Sequence, residues 1–358
     1  MFVRIARDGV CERLLGKRHL NGKPHISSIS PPFALPGGEV RISGSGFRGH
    51  EMRRPRVTFG DEPGGVVISA EDFVVARVPE TAFSGPVVVE PDGSKSNGIE
   101  LRVAVPIAEN LHPVTNPAMD TEGNLFVTFS GSRGQKVPVS IYKIDTGYHA
   151  KPFLSDLMNA HGIAFDREGQ IYVSSRQNGT VYRVAPNGTM SAYAEGMGIA
   201  TGIAFDREQN LYVGDRSGSI FKIARDRQTF VFATLEPSVS AYHLAFGPDQ
   251  NLYVTGPTTS SYDAIYRVDP HGDSSVFFRG LGRPQGMAFD IDGNLYVAAS
   301  FESKRGIVRI TPDKKAALCV SGQNLVGLCF APGKAVVLAT TSAVFHLSCN
   351  IQGLPLLQ

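Results

Sequence analysis

Six positions in the chain fall at the same place in a repeated text: Asn116, His161, Thr201, Tyr242, Gln285 and Val326. Five of them carry a hydrogen-bonding side chain. The flanking residues repeat while these differ. Variety inside a uniform frame suits a surface that faces a ligand, and polar groups also suit a hydrated channel. Loops expected on the same rim add Ser130, Arg133, Ser175, Arg176, Asp215, Arg216, Ser300 and Glu302. An arginine beside polar groups holds a carboxylate or phosphate through paired N–H donors. The alternative for Asp215 and Arg216 is an ordinary surface ion pair. The candidate ligand-binding set is therefore Asn116, His161, Arg176, Thr201, Asp215, Arg216, Tyr242 and Gln285.

Catalysis and metal binding have weaker support in the text. His161 could act as a general base, but no Ser or Cys nucleophile pairs with it by spacing. His161 and His243 read as lying on neighbouring repeats, with no third ligand for zinc, and His243 falls on a glycine position of the repeat. A hard cation needs several oxygen ligands, usually with carboxylate charge. Asn116 and Gln285 are neutral, and Asp215 is the one carboxylate expected near the middle repeats, with Glu302 further round. No catalytic residue, metal ligand or cofactor is assigned. Of the four cysteines, Cys11, Cys319, Cys329 and Cys349, none has CxxC spacing. A Cys319–Cys349 disulfide stays open. Asn178 and Asn187 begin Asn-Gly-Thr sequons that read as turn residues.

These residues need a scaffold, and the repeat supplies one. The copies NPAMDTEGNLFV, HGIAFDREGQIYV, TGIAFDREQNLYV, YHLAFGPDQNLYV, QGMAFDIDGNLYV and VGLCFAPGKAVVL start at 116, 161, 201, 242, 285 and 326, spaced by 45, 40, 41, 43 and 41 residues. A strand-patterned period near 40 predicts a propeller, one four-stranded blade per repeat. Third strands follow as SIYKI, TVYRV, SIFKI, AIYRV, GIVRI and AVFHL. Each Asp before a turn can cap backbone N–H groups, a structural role. The segment Leu101–Glu109 reads as an outer strand that completes the last blade and latches the ring. The short tail IQGLPLL competes for the same slot.

Upstream, residues 25–104 alternate apolar and polar residues in short runs (EVRISGS, RVTF, GVVI, FVVARV, PVVVE, IELRV) between Gly and Pro turns, as a small β-sandwich requires. Arg48, Arg53, Arg54 and Arg56 with His50 read as a solvated loop. The pieces Ile29-Ser30-Pro31, Pro36-Gly37-Gly38, Ile42-Ser43-Gly44-Ser45-Gly46-Phe47, Val57-Thr58-Phe59-Gly60, Val78-Pro79 and Ser96-Asn97 resemble IPT/TIG immunoglobulin-like domains. That resemblance implies a spacer, adhesion or dimerisation module without catalysis. The HGIAFD, TGIAFD and QGMAFD strands, followed by GQIYV, NLYV and GNLYV, resemble the NHL-repeat and regucalcin/gluconolactonase (senescence-marker) propellers. Members of the latter group hold one divalent ion with acidic and Asn side chains on this rim. Where that pattern favours an acid in Pro-Asp-Gly, this chain has Pro284-Gln285-Gly286.

Composition limits the remaining classes. Over 358 residues the net charge is +2, against a dedicated nucleic-acid binder. Apolar runs are strand-sized, against a membrane-spanning helix. Arg4, Arg7, Asp8, Glu12 and Arg13 interrupt every candidate signal core, so the expectation is a cytoplasmic chain, exported if the start lies elsewhere. The expected architecture is all-β: an extension over 1–24, an immunoglobulin-like β-sandwich over 25–104 and a six-bladed β-propeller over 105–358. The expected role is a binding or interaction scaffold for a small polar molecule or protein at the channel rim. The alternative is a gluconolactonase-like hydrolase using Ca2+ or Zn2+ at an altered site. An exported adhesion protein is a third reading.

Overall fold

The computed structural model describes residues 23–49, 53–129, 136–260 and 262–355. The extension before Lys23, with Cys11, and the rim candidates Ser130 and Arg133 lie outside them, as does His50. All regular structure among the described residues is β.

The N-terminal module is a sandwich. One side pairs His25–Ser30, Glu39–Ser45, Phe73–Arg77 and Glu62–Ser69, and the other joins Arg56–Phe59, Gly85–Glu90 and Ile99–Val103. Alternate residues point inward along these strands, as period-2 patterning dictates. Val40, Ile42, Phe47, Val57, Val74, Val87 and Val89 are fully buried in its core.

The repeats form five separate four-stranded sheets. Four begin at Ala118–Met119, Ala160–Phe165, Ala200–Phe205 and His243–Phe246, and the fifth begins at Leu325–Ala331. The expectation of six like, separate blades is corrected here. The Gln285 repeat makes its four strands, Met287–Phe289, Leu295–Phe301, Lys304–Ile310 and Ala316–Ser321, but they belong to a twelve-stranded sheet shared with the N-terminal module. The physical cause is the two-residue strand Phe33–Ala34. It pairs in parallel with Ile99–Val103 on one side and Ala316–Ser321 on the other. An edge that would otherwise expose unpaired N–H and C=O groups is thereby covered. Leu35 N–H donates to the Ser321 carbonyl at 2.8 Å and Glu39 N–H to Ser321 Oγ at 2.9 Å. Leu35 and Ala104 are buried in the same cluster as Ile307, Val320 and Leu338.

The innermost strands contact one another in chain order, and Leu325–Ala331 contacts Ala118–Met119, so the ring closes. Val105–Glu109 pairs with Ala343–Ser348 as the outer strand of the last sheet. The expected outer strand from Leu101 is therefore shortened. Leu101 and Val103 are buried in the sandwich, and the chain changes domain at buried Ala104. The tail takes another place: Leu354 N–H donates to the Phe289 carbonyl at 2.8 Å, beneath the ring.

What packs the sheets together is legible in the repeat. Each first-strand Phe meets the second-strand aromatic of the preceding repeat edge-on: Phe126–Phe165, Tyr172–Phe205, Tyr212–Phe246, Tyr253–Phe289 and Tyr296–Phe330, at 4.8–5.3 Å. Such pairs contribute about 0.5–1.5 kcal/mol beyond burial. The turn Asp serves both ends of this unit. Asp166 Oδ1 accepts from Gln170 N–H at 2.8 Å, and Asp290 Oδ1 accepts from Asn294 N–H at the same distance. Tyr172 and Tyr296 donate their hydroxyls to the second oxygen of these carboxylates at 3.1 Å. Cys319, Cys329 and Cys349 are free thiols, and burial pushes Cys319 and Cys329 up to about 12.

Gly306 lies on the shared sheet, where a Cβ would collide with the Val320 carbonyl oxygen and stand 2.9 Å from Leu318 Cδ1. Backbone cannot yield as a flexible side chain can. Gly306→Ala is expected to destabilise the chain by about 3 kcal/mol, read as a lowered urea midpoint at unchanged slope.

Candidate functional site at the upper channel mouth

The upper face is the one at which the inner strands begin. His161 enters from Ala160–Phe165 and His243 from His243–Phe246. The neighbouring-repeat reading is corrected: Ala200–Phe205 stands between these two strands. The rings nevertheless meet across the hub, with centroids 5.6 Å apart and planes at 51°. Strand starts converge where a ring of sheets is narrowest, so residues of non-adjacent repeats touch. Thr115 Oγ1 lies 3.3 Å from His243 Nδ1 and brings in a third repeat. Both imidazoles are buried, His161 at 1 % exposure and His243 at 4 %.

Burial is the main cause that pushes His243 down to about 4, and the Arg176 charge adds to it. His161 is held well below its ordinary range by burial, then by His243 and Arg176, against an opposing contact with the Thr201 backbone. Both rings are neutral near pH 7 and offer one donor and one acceptor each. Among the described residues, His161 Nδ1 is buried without a hydrogen-bond partner, and so is Thr128 Oγ1. The second orphan follows from the repeat. Thr128, Ser174 and Thr255 hold the same place in their second strands, opposite Ile141, Val181 and Ile265. Ser174 donates to the Thr201 carbonyl, and Thr255 donates to the Gln285 carbonyl at 2.6 Å. The equivalent Thr128 bond to the His161 repeat is not made. Two buried polar atoms thus lack partners at this level, a situation that native interiors avoid by admitting water or ligand.

The other sequence candidates go elsewhere. Asn116 joins backbone to backbone: Nδ2 donates to the Met287 carbonyl at 2.9 Å, and Oδ1 accepts from Leu328 N–H at 3.1 Å. Thr201 Oγ1 donates to the Gly214 carbonyl at 2.8 Å and accepts from Tyr242 N–H at 3.1 Å. Tyr242, 1 % exposed, fills the space left by Gly202, Gly214 and Gly256 and donates its hydroxyl to the Glu236 carbonyl. Asp215 closes a turn: Oδ1 accepts from Ile199 N–H at 2.9 Å and Ser217 N–H at 3.2 Å, and Oδ2 accepts from the Ser217 hydroxyl. Arg216 is fixed through its backbone, N–H to the Ile199 carbonyl and C=O to Ser238 N–H. Gln285 lines a separate upper cleft with Arg283, Ser300, Arg305 and Asn324. Of the eight candidates, His161 therefore sits in the hub, and the Arg176 charge acts on it. Thr115, Thr128 and His243 were missed as members. The hydroxyl recurring in the second strands was the available signal for Thr128.

A divalent ion of the kind the propeller resemblance implies does not fit the expected ligands. The Asn116 amide and the Asp215 carboxylate have their oxygens engaged, and Gln285 lines a separate cleft. No group of three or more His, Cys, Asp and Glu side chains suited to a metal gathers among the described residues.

The geometry defines an immunoglobulin-like module joined to a β-propeller. Residues 24–102 match the family model of the IPT/TIG domain. Solved structures share the architecture at low identity. A candidate gluconolactonase aligns at TM-score 0.58 and 17 % identity over 70 % of this chain and 93 % of its own. Regucalcin, a calcium-binding protein from Agrobacterium tumefaciens, aligns at 0.55 and 15 % over 69 % and 92 %. An auxiliary nutrient binding protein from Bacteroides thetaiotaomicron aligns at 0.54 and 14 %, over 91 % of this chain and 98 % of its own. These similarities establish the fold. No curated protein matches the sequence.

Proposed function

We propose that the chain is a binding scaffold whose propeller, counted as six-bladed with the Gln285 blade extended by the N-terminal module, takes a small anionic molecule at the upper channel mouth. The supporting observation is the partnerless Nδ1 of buried His161, set beside His243 and within the field of Arg176. Arg176 supplies charge, and the two neutral imidazoles with Thr128 supply donors and acceptors that orient the ligand. A carboxylate or phosphate fits this set.

Thermal unfolding in the presence of phosphate, citrate and gluconate tests the reading. A ligand at 100 times its Kd stabilises the fold by about 2.7 kcal/mol. The stabilisation is expected to vanish in Arg176→Gln and to weaken in His161→Gln. Stabilisation by Ca2+, Zn2+ or Mn2+ together with turnover of a sugar lactone would favour the hydrolase, the reading also compatible with the fold.

A further inference from the structure

The opposite end of the channel is a different chemical place. The inner strands end there, and their terminal residues wall a cavity of about 180 Å³ that opens to the lower face. Phe165, Phe205, Phe246, Phe289 and Phe330 recur around it, with Met287 and the docked Leu354. The lining is mainly apolar, with Asn116, Gln209 and Gln250 adding polar groups, and an apolar cavity of about 150 Å³ accepts a molecule as large as benzene. Its lining carries two charged side chains, Asp206 and Arg207. The Asp206 carboxylate is already engaged: Oδ1 accepts from Asn210 N–H at 2.8 Å and Oδ2 from Asn210 Nδ2 at 2.7 Å. Arg207 is exposed and lines both the cavity and the adjoining surface cleft, which places it at the mouth. Gln250, with its amide oxygen facing Arg207, accepts from Arg207 Nε at 2.8 Å and steadies the guanidinium. Arg167 Nη2 donates to the Arg207 carbonyl at 3.0 Å, so a second guanidinium stands close by. Glu168, Glu208, Arg225 and Asp226 line the surface cleft and not the cavity, so Arg207 is the cation that reaches the chamber.

A mainly apolar chamber with the Arg207 guanidinium at its mouth suits an amphipathic anion. We propose that the lower channel binds a carboxylate bearing a short aliphatic chain, its tail among the strand-end phenylalanines and its carboxylate on Arg207. This site is separate from the hub at His161 and stands or falls without it.

Calorimetry on the full chain with butanoate, hexanoate and octanoate is the test. Saturable binding is expected, tightening about four-fold for each buried methylene. Octan-1-ol should bind more weakly. Arg207→Gln should weaken octanoate at least ten-fold and leave octanol unchanged. Methyl-labelled methionine places the tail without any substitution: the Met287 methyl signal should move on titration and the Met197 signal should not. The proposal is overturned by absence of saturable heat up to the solubility of octanoate, by octylammonium binding as tightly as octanoate, by unchanged octanoate affinity in Arg207→Gln, or by a Met287 signal that stays in place.

Discussion

Asn116→Leu is expected to lower the unfolding free energy by about 1–3 kcal/mol. The substitution removes the side-chain partner of the Met287 carbonyl and the Leu328 N–H, both partly buried beside the lower cavity. The position matters because of where the ring closes. Five seams carry an edge-on aromatic pair, from Phe126–Phe165 round to Tyr296–Phe330. The seam between the last sheet and the first has no such pair among the described residues, and the Asn116 amide spans it instead. Gly286 and Gly327 make room: a Cβ on Gly286 would collide with Asn116 Oδ1, and one on Gly327 would lie 2.6 Å from it. Asn116→Asp keeps the acceptor and loses the donor, so an intermediate loss is expected. Gln285→Leu, at the equivalent repeat position but facing a cleft, should change stability by under about 0.5 kcal/mol. Urea unfolding of the three variants decides the matter, and a Gln285 loss equal to that at Asn116 would remove the closure argument.

The hub histidines give the second large effect, and it depends on pH. An unfolded imidazole takes its proton at about 6.5. In the fold His243 is pushed down to about 4, by burial first and Arg176 second. Between those two values the unfolded chain holds a proton that the folded chain refuses. The His243 contribution is therefore complete above about pH 6.5, falls as the pH drops through the window, and levels off below about 4. The gap corresponds to about 3 kcal/mol. His161 shifts in the same direction and adds to it. Carboxylates elsewhere also respond to acid, so the measurement is a difference. Wild type should lose about 2–3 kcal/mol more than His243→Gln between pH 7 and pH 4.5. Equal losses would mean that His243 is not held neutral by the fold. Octanoate binding at the lower face should fall only when its own carboxylate protonates.

Particular residues show why the site was harder to read than the fold. The propeller was legible because GIAF and LYV recur near every 40 residues, and burial of alternate residues between stacked sheets is what such a recurrence is for. The turn aspartates were legible for the same reason, since an Asx cap acts within four residues. Asn116 and His161 occupy equivalent positions yet do unlike things: one sews strands together and the other lines a hub. Nothing local distinguishes them, because their partners lie 171 and 212 residues away for Asn116 and on a non-adjacent strand for His161. His243 falls on a glycine position of the repeat and lacks a third zinc ligand in the text, so nothing local marks it as a hub residue.

The amino-acid order by itself determined the all-β class, the two-part organisation, the strand-by-strand repeat and the capping turns. These depend on periodicity and on interactions a few residues long. Tertiary structure decided that Phe33–Ala34 fuses the sandwich to the Gln285 strands, that the outer strand starts at Val105, and that two histidines from non-adjacent repeats meet within the field of Arg176. Those outcomes are set by closure of the ring and by which backbone edges and polar atoms remain to be covered, conditions that exist only once the whole chain is folded.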